Sequence, residues 1–165
     1  MPAELAERVR ERFPDVLLAR DEVTLFVDRD DLVDTLIRLR DHRELSLGSL
    51  MSVTATHHPG REPGFWIVYE LRSLDHRHRL RVKVGLPGED AHVPSVTSLF
   101  PTADWHERET FDLFGIVFDG HPDLDRILLP ADWEGHPLRK DEALGGVGTW
   151  YHGAFIPTVD ERSMP

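Results

Sequence analysis

No cysteine occurs in the 165 residues. That absence removes disulfide staples, thiolate zinc centres and iron–sulfur clusters ligated by this chain. Long apolar runs are also missing. No stretch approaches the roughly 18–20 residues that cross a bilayer, so any membrane link is expected to run through a partner, without a direct span. Basic side chains are outnumbered, 19 against 30 acidic, and the resulting charge of −11 opposes a phosphate backbone and disfavours nucleic acid. The opening residues mix acidic and basic side chains without an apolar core region, so no secretory leader is expected. Neither an internal repeat nor a low-complexity tract is present.

What is present reads as one soluble globular unit, with 40% apolar and 30% charged residues. Leu5, Val9 and Phe13 fall at four-residue spacing and predict a helix from Pro2 to Arg12. Val23 to Val27 predicts a strand. Asp30 or Asp31 can cap a helix to about Arg40, whose stripe is Leu32, Val33, Leu36, Ile37 and Leu39. Strands are predicted over Ser49–Thr56, Phe65–Ser73 and Arg79–Leu86, joined by a polar turn at 57–64 and a hairpin turn at Asp75–His78. The fold class expected is α+β, a four-stranded, largely antiparallel or mixed sheet with helices packed on it. A short helical segment is predicted from Pro94 through Phe100. A second helix should start at Thr102 or Asp104 and end at Phe114, near 103–114, with Asp104 and Glu107 at capping-box spacing and Gly115 just past its end. Glycine, proline and single charges dominate after Phe118. This divides the chain into an α+β domain at 1–118 and an extended segment at 119–165, expected to lie on a partner.

Chemistry-bearing residues concentrate between Trp105 and Asp141, where Gly-His-Pro occurs twice, at 120–122 and 135–137. A metal could be imagined on His121 and His136 with Asp112 or Asp123. Their spacing matches no compact ligand motif, and a histidine before proline in a turn is commonly structural. His57, His58, His76 and His78 fall in predicted turns and read as solvated. Glu107, Glu109 and Asp112 could form an acid–base set, but Arg108 lies among them and no nucleophile or phosphate-cradling loop accompanies them, so ion-paired carboxylates are the better reading. Gly145-Gly146-Val147-Gly148 is neither a dinucleotide fingerprint nor a Walker loop and reads as a bend. Trp105, Trp133, Phe111 and Phe114 are core residues or interface anchors. No catalytic residue, cofactor site or metal site is expected in this chain.

Three segments carry a resemblance: Glu107-Arg108-Glu109-Thr110-Phe111-Asp112-Leu113-Phe114-Gly115-Ile116, then Gly120-His121-Pro122-Asp123-Leu124-Asp125-Arg126-Ile127-Leu128, then Gly135-His136-Pro137-Leu138-Arg139-Lys140-Asp141. Together they resemble the signature of the C-subunit family of respiratory-chain NADH dehydrogenase (NADH-quinone oxidoreductase), the thirty-kilodalton subunit of complex I. Departures are Asp125 where the family often has a basic residue, Phe111 for the commoner Tyr, and Glu142-Ala143-Leu144 after Asp141.

The resemblance implies a structural or assembly subunit in the peripheral arm of a proton-translocating NADH:quinone oxidoreductase. It would have no redox centre of its own. It would brace the quinone-site D subunit and the iron–sulfur B and I subunits, while FMN, the clusters and quinone belong to the assembled complex at the cytoplasmic face of the inner membrane. Glu107, Arg108, Glu109, Asp112, Arg126, Arg139 and Lys140 would then make interfacial or intra-subunit ion pairs. Gly115, Gly120, His121, Pro122, Gly135, His136, Pro137 and Asp141 would shape the chain as it crosses the partner. The equivalent subunit of a membrane-bound nickel–iron hydrogenase or formate hydrogenlyase is the alternative, and a free-standing metal-dependent hydrolase a distant third.

Overall fold

Strict alternation along Arg79–Leu86 puts Leu80, Val82, Val84 and Leu86 on one face, and all four are fully buried. This strand is the centre of the sheet. In the computed structural model, which describes residues 2–142, the order is α1 (Pro2–Arg10), β1 (Val16–Ala19), β2 (Glu22–Val27), a 3-10 turn (Arg29–Asp31) and α2 (Leu32–Asp41). Then come β3 (Ser49–His57), β4 (Phe65–Arg72), β5 (Arg79–Leu86), β6 (His92–Pro94), α3 (Ala103–Phe114) and β7 (Val117–Asp119). The main sheet runs β1-β2-β5-β4-β3, with β2 parallel to β5 and the other pairs antiparallel. The fold is thus the expected α+β arrangement around a mixed sheet, with five strands instead of four.

The unforeseen strand of this sheet is β1. Its hairpin with β2 turns at Arg20 and Asp21, whose φ values of 52° and 61° are both left-handed. Glycine and asparagine are the usual signals of that turn, and neither is present.

Packing explains the rest. Leu5, Ala6 and Val9 of α1 and the Leu32, Leu36, Leu39 stripe of α2 bury against the core face of the sheet, together with Leu45 and Leu47 from the following loop. Each such large side chain contributes about 1.5–3 kcal/mol by leaving water. Helix α3 packs on the edge strand β3. Thr102 Oγ1 donates to the Leu50 carbonyl at 3.2 Å, and Thr110 Oγ1 shares its proton between the Val53 carbonyl at 3.3 Å and the His106 carbonyl at 2.8 Å. Two carbonyls of an edge strand are thereby met by helix side chains, which blunts an otherwise open edge.

Three local expectations are corrected. Residues 94–100 are not a helix: His92–Pro94 pairs in parallel with Val117–Asp119, Ser95 N donates to the Asp119 carbonyl at 2.8 Å, and only one turn closes on the Val96 carbonyl. Asp104 and Glu107 form no capping box, because Glu107 is turned into the interior. Neither Asp30 nor Asp31 makes a side-chain cap bond.

After β7 the chain carries no helix or strand up to residue 142, and it runs back across α3. The glycine run at 145–148 and the remainder of the 119–165 segment beyond Glu142 lie outside the described residues. Among those described, no helix is long and apolar enough to cross a membrane.

Replacing Arg20 by Asn together with Asp21 by Gly should relieve the left-handed turn. The expected gain is about 0.5–1 kcal/mol, read as a higher denaturant midpoint with an unchanged slope.

Candidate partner-contact site around Asp112

Asp112 sits in the last turn of α3, with no exposed surface and no basic residue in that turn. A carboxylate there is badly placed, since the unpaired carbonyls of a helix C-terminus already concentrate negative charge. Arg126, 14 residues further on, offsets both. Its Nη1 donates to Asp112 Oδ1 at 2.7 Å and to the Asp112 carbonyl at 3.1 Å, while Nη2 donates to the Gly135 carbonyl at 3.2 Å. The other carboxylate oxygen, Oδ2, accepts the backbone N–H groups of Ile127, Leu128 and Leu129 at 3.1, 2.8 and 2.9 Å. Burial pushes the Asp112 pKa up. The bonds from Leu129, Arg126, Leu128 and Ile127 outweigh it and leave the group below its ordinary value of 3.8.

The two Gly-His-Pro segments fasten the two ends of α3. His121 donates through Nε2 to the Asp104 carbonyl at 3.2 Å and accepts the Asp123 N–H through Nδ1 at 3.0 Å, which fixes its tautomer. His136 donates through Nδ1 to the Asp112 carbonyl at 2.9 Å. Gly120 and Gly135 have φ of 80° and 85°, so both turns use glycine's access to the left-handed region. Gly115 ends the helix as expected, at φ 72° with its N–H on the Phe111 carbonyl. A Cβ on Gly115 would lie 2.6 Å from the His136 ring, so the glycine serves the cap and makes room for the second segment. The two histidines diverge to opposite ends of α3 and form no ligand pair. Among the described residues, no group of three or more His, Asp or Glu side chains is arranged to hold a metal ion.

Within the described chain, some of the residues expected in ion pairs make them and others do not. Arg108 pairs with Asp123 at 3.3 Å, donates to the Asp125 carbonyl at 3.1 Å and lies 5.7 Å over the Trp105 ring. Arg139 lies over the Phe65 ring at 5.2 Å and pairs with Asp141 at 3.4 Å. Glu107 is bonded without a counter-charge. Fully buried and with no ion pair among the described residues, it accepts Ser95 Oγ at 2.6 Å and Val96 N–H at 2.8 Å, tying α3 to the chain after β6. Burial raises its pKa, with the Ser95 and Val96 bonds acting against the shift. The buried Tyr69 hydroxyl has no hydrogen-bond partner among the described residues, and its pKa is driven well up by burial and then by the Glu107 charge. Glu109 and Lys140 are exposed, and their side chains make no ion pair among the described residues.

Of the histidines expected to be solvated, His76 is exposed and His58 half-buried with one exposed bond to Thr56, whereas His57 is structural instead. His57 is buried, stacks on Phe65 at 4.3 Å, and accepts the Lys140 N–H through Nδ1 at 2.9 Å. Burial lowers its pKa, as a neutral acceptor requires. His76 and His78 reach the carbonyls of Arg43 and Leu45 from the hairpin turn. A signal for His57 was available: Val53, Ala55 and His57 share one parity along β3, and that parity faces inward. Phe114 belongs to the core, Phe111 meets His136 edge-on, and Trp105 is 64% exposed.

These carboxylates make two testable differences. Asp112→Ala strips Arg126 of its counter-ion, leaves three N–H groups without their acceptor at a buried site, and should cost about 3–5 kcal/mol in chemical denaturation. For pH the signs oppose. The depressed Asp112 contributes stability that is full above its unfolded value and lost as pH falls through the folded one, below 3.8. The raised Glu107 instead penalises the fold as pH rises above its ordinary 4.5. Glu107→Gln, which can keep both bonds with Ser95 and Val96, should therefore gain stability relative to the parent as pH goes from about 4 to 8. Parallel stability curves for the two chains would contradict this.

Comparison with known proteins matches residues 25–147 to the family described as Respiratory-chain NADH dehydrogenase, 30 Kd subunit. The NADH-quinone oxidoreductase C subunit of Mycobacterium tuberculosis strain H37Rv is 49% identical over 167 residues, covering 97% of this chain and 70% of that protein. Its counterpart in Mycolicibacterium paratuberculosis is 51% identical over 150 residues, covering 89% and 63%. Among solved structures, the trypsin-resistant fragment of Nqo5 superposes with a TM-score of 0.62 at 31% identity, over 75% of this chain and all of the fragment. A chain of the archaeal membrane-bound sulfane sulfur reductase shares the fold, with a TM-score of 0.71 at 23% identity over 86% and 85% of the two chains. The stretch from Glu107 to Asp141, with both Gly-His-Pro turns pinned to α3, lies wholly inside the matched region, and the chain belongs to the 30-kDa subunit family of respiratory-chain NADH dehydrogenase.

Proposed function

We propose that this chain is a structural and assembly subunit in the peripheral arm of a proton-translocating NADH:quinone oxidoreductase, bracing the quinone-site D subunit and the iron–sulfur B and I subunits. One observation carries the reading. At two points along 120–142 the backbone is bonded inward while a leucine side chain is held outward. The Leu128 N–H is on Asp112 and the Leu138 N–H on the Leu113 carbonyl, yet the two side chains are 59% and 42% exposed. Trp105, of a residue type enriched in interface hot spots, and the charged Glu109 and Lys140 are exposed as well, and this reading assigns all five to the docking surface.

FMN, the iron–sulfur clusters and quinone belong in this reading to the neighbouring subunits, at the cytoplasmic face of the inner membrane. This chain's part is geometric. Electron transfer and quinone binding depend on distance, so a brace that loosens lowers turnover without touching a reacting atom. Relatives about half identical carry the quinone oxidoreductase name, which favours this assembly over a hydrogenase relative.

Glu109→Lys combined with Lys140→Glu alters two exposed side chains that make no ion pair or hydrogen bond within the described chain. The isolated variant should melt like the parent. Its co-purification with the membrane complex and the NADH:quinone reductase activity of those membranes should fall together, by about tenfold or more, equivalent to ~1.4 kcal/mol of contact energy. Normal incorporation with full activity would refute the placement of this surface.

A further inference from the structure

Among the described residues, the helices bury one face of the sheet and leave the other to β-strand side chains. On that face the register sets Leu17 beside Thr24, Phe26 beside Lys83, Lys83 beside Val68, and Gly85 beside Trp66. Phe26 and Trp66 meet edge to face with ring centroids 5.4 Å apart. Gly85 is required here for space: a Cβ would come within 2.8 Å of Pro63 and 3.3 Å of Trp66, so the glycine lets the proline and indole settle onto the strand. The result is a groove of about 280 Å³ with Phe26, Pro63 and Trp66 in its walls and Asp15 and Asp28 also lining it. It adjoins a second cleft of about 520 Å³ that shares Asp15, Phe26 and Asp28 and adds Asp31 and Asp34.

The charges of these clefts are unbalanced. Asp15, Asp28, Asp31 and Asp34 are exposed, and their side chains make no ion pair or hydrogen bond among the described residues. The cations at hand are engaged: Arg12 by Glu11, Glu44 and His42, and Arg38 over the Phe13 ring at 4.6 Å. Lys83, beside Phe26 in the register, lines neither cleft. The carboxylates are strung out, and no set of them is arranged to hold a metal ion. Aromatic walls with separated carboxylates suit a chain of cations better than one ion, because a guanidinium can lie on an indole while pairing with a carboxylate.

We infer that this groove docks an arginine- or lysine-bearing segment of another polypeptide in the assembly, on a face distinct from the α3 surface. The inference does not depend on what α3 contacts, since Glu109 and Lys140 line neither cleft.

A dodecapeptide of alternating arginine and serine is the first probe, added to the isotope-labelled full chain, with a glutamate–serine peptide as control. Amides at Asp15, Phe26 to Asp28 and the Trp66 indole should shift together. Asp15→Lys with Asp28→Lys should weaken binding by about tenfold or more without altering the melting temperature. Shifts scattered over carboxylates elsewhere, with affinity indifferent to the two reversals, would mean general attraction to an acidic protein and would overturn the inference. In the assembled complex, a photo-crosslinker at Leu17, half exposed on the same face, should capture an arginine- or lysine-containing stretch of a neighbouring subunit. Capture of an acidic stretch, of a second copy of this chain or of nothing would equally overturn it. Failure here, with incorporation still sensitive to Glu109 and Lys140, leaves the α3 reading standing.

Discussion

A buried negative charge at the wrong end of a helix is the constraint around which the second half of this molecule is built. Asp112 lies where the helix dipole already disfavours an anion, and no group within the last turn of α3 compensates it. Compensation comes from outside the helix, through one guanidinium and three consecutive backbone N–H groups. Supplying them fixes the path of residues 126–129. Because the same guanidinium also bonds Gly135, it fixes the path of the second Gly-His-Pro turn as well. The pairing is strong evidence for a specified geometry and weaker evidence for net stability, since charges taken out of water cost much of what their attraction returns.

Two buried carboxylates in one helix thus have different tasks. Asp112 is charged and organises the chain on the C-terminal side of α3. Glu107, raised by burial, organises the chain on its N-terminal side through Ser95 and Val96. Thr102 and Thr110 fasten the same helix to edge strand β3, and His121 and His136 clamp its two ends. The helix is held from the sheet, from β6 and from the long return segment at once. A surface so held changes little on docking, which lowers the ordering cost of an interface. That is the property the proposed bracing role requires.

How much of this was legible beforehand divides by range of interaction. Local signals performed well. Period-two alternation located β5 with the bounds Arg79–Leu86 later found, and glycine after Phe114 marked the helix end. The three segments between Glu107 and Asp141 identified the family. Signals failed where the deciding partner is distant or is backbone. Nothing near Asp112 in sequence announces Arg126, and N–H groups carry no sequence signature. Glu107 read as a paired surface carboxylate because its donors, Ser95 and Val96, precede the helix. The β1 strand was hidden by a left-handed turn of Arg and Asp, and the buried role of His57 by the proline- and glycine-rich turn just beyond it.

The central claim is that the signature segment is folded onto its own domain before any partner arrives. Native-state hydrogen exchange on the isolated full chain tests it most directly. The amides of Ile127, Leu128 and Leu129, which end on Asp112, and of Leu138 and Lys140, which end on Leu113 and His57, should exchange far more slowly than in an unfolded peptide and in step with the last turn of α3. Exchange of these five amides at unfolded-peptide rates, with α3 still protected, would contradict it and make the segment's order a gift of the partner.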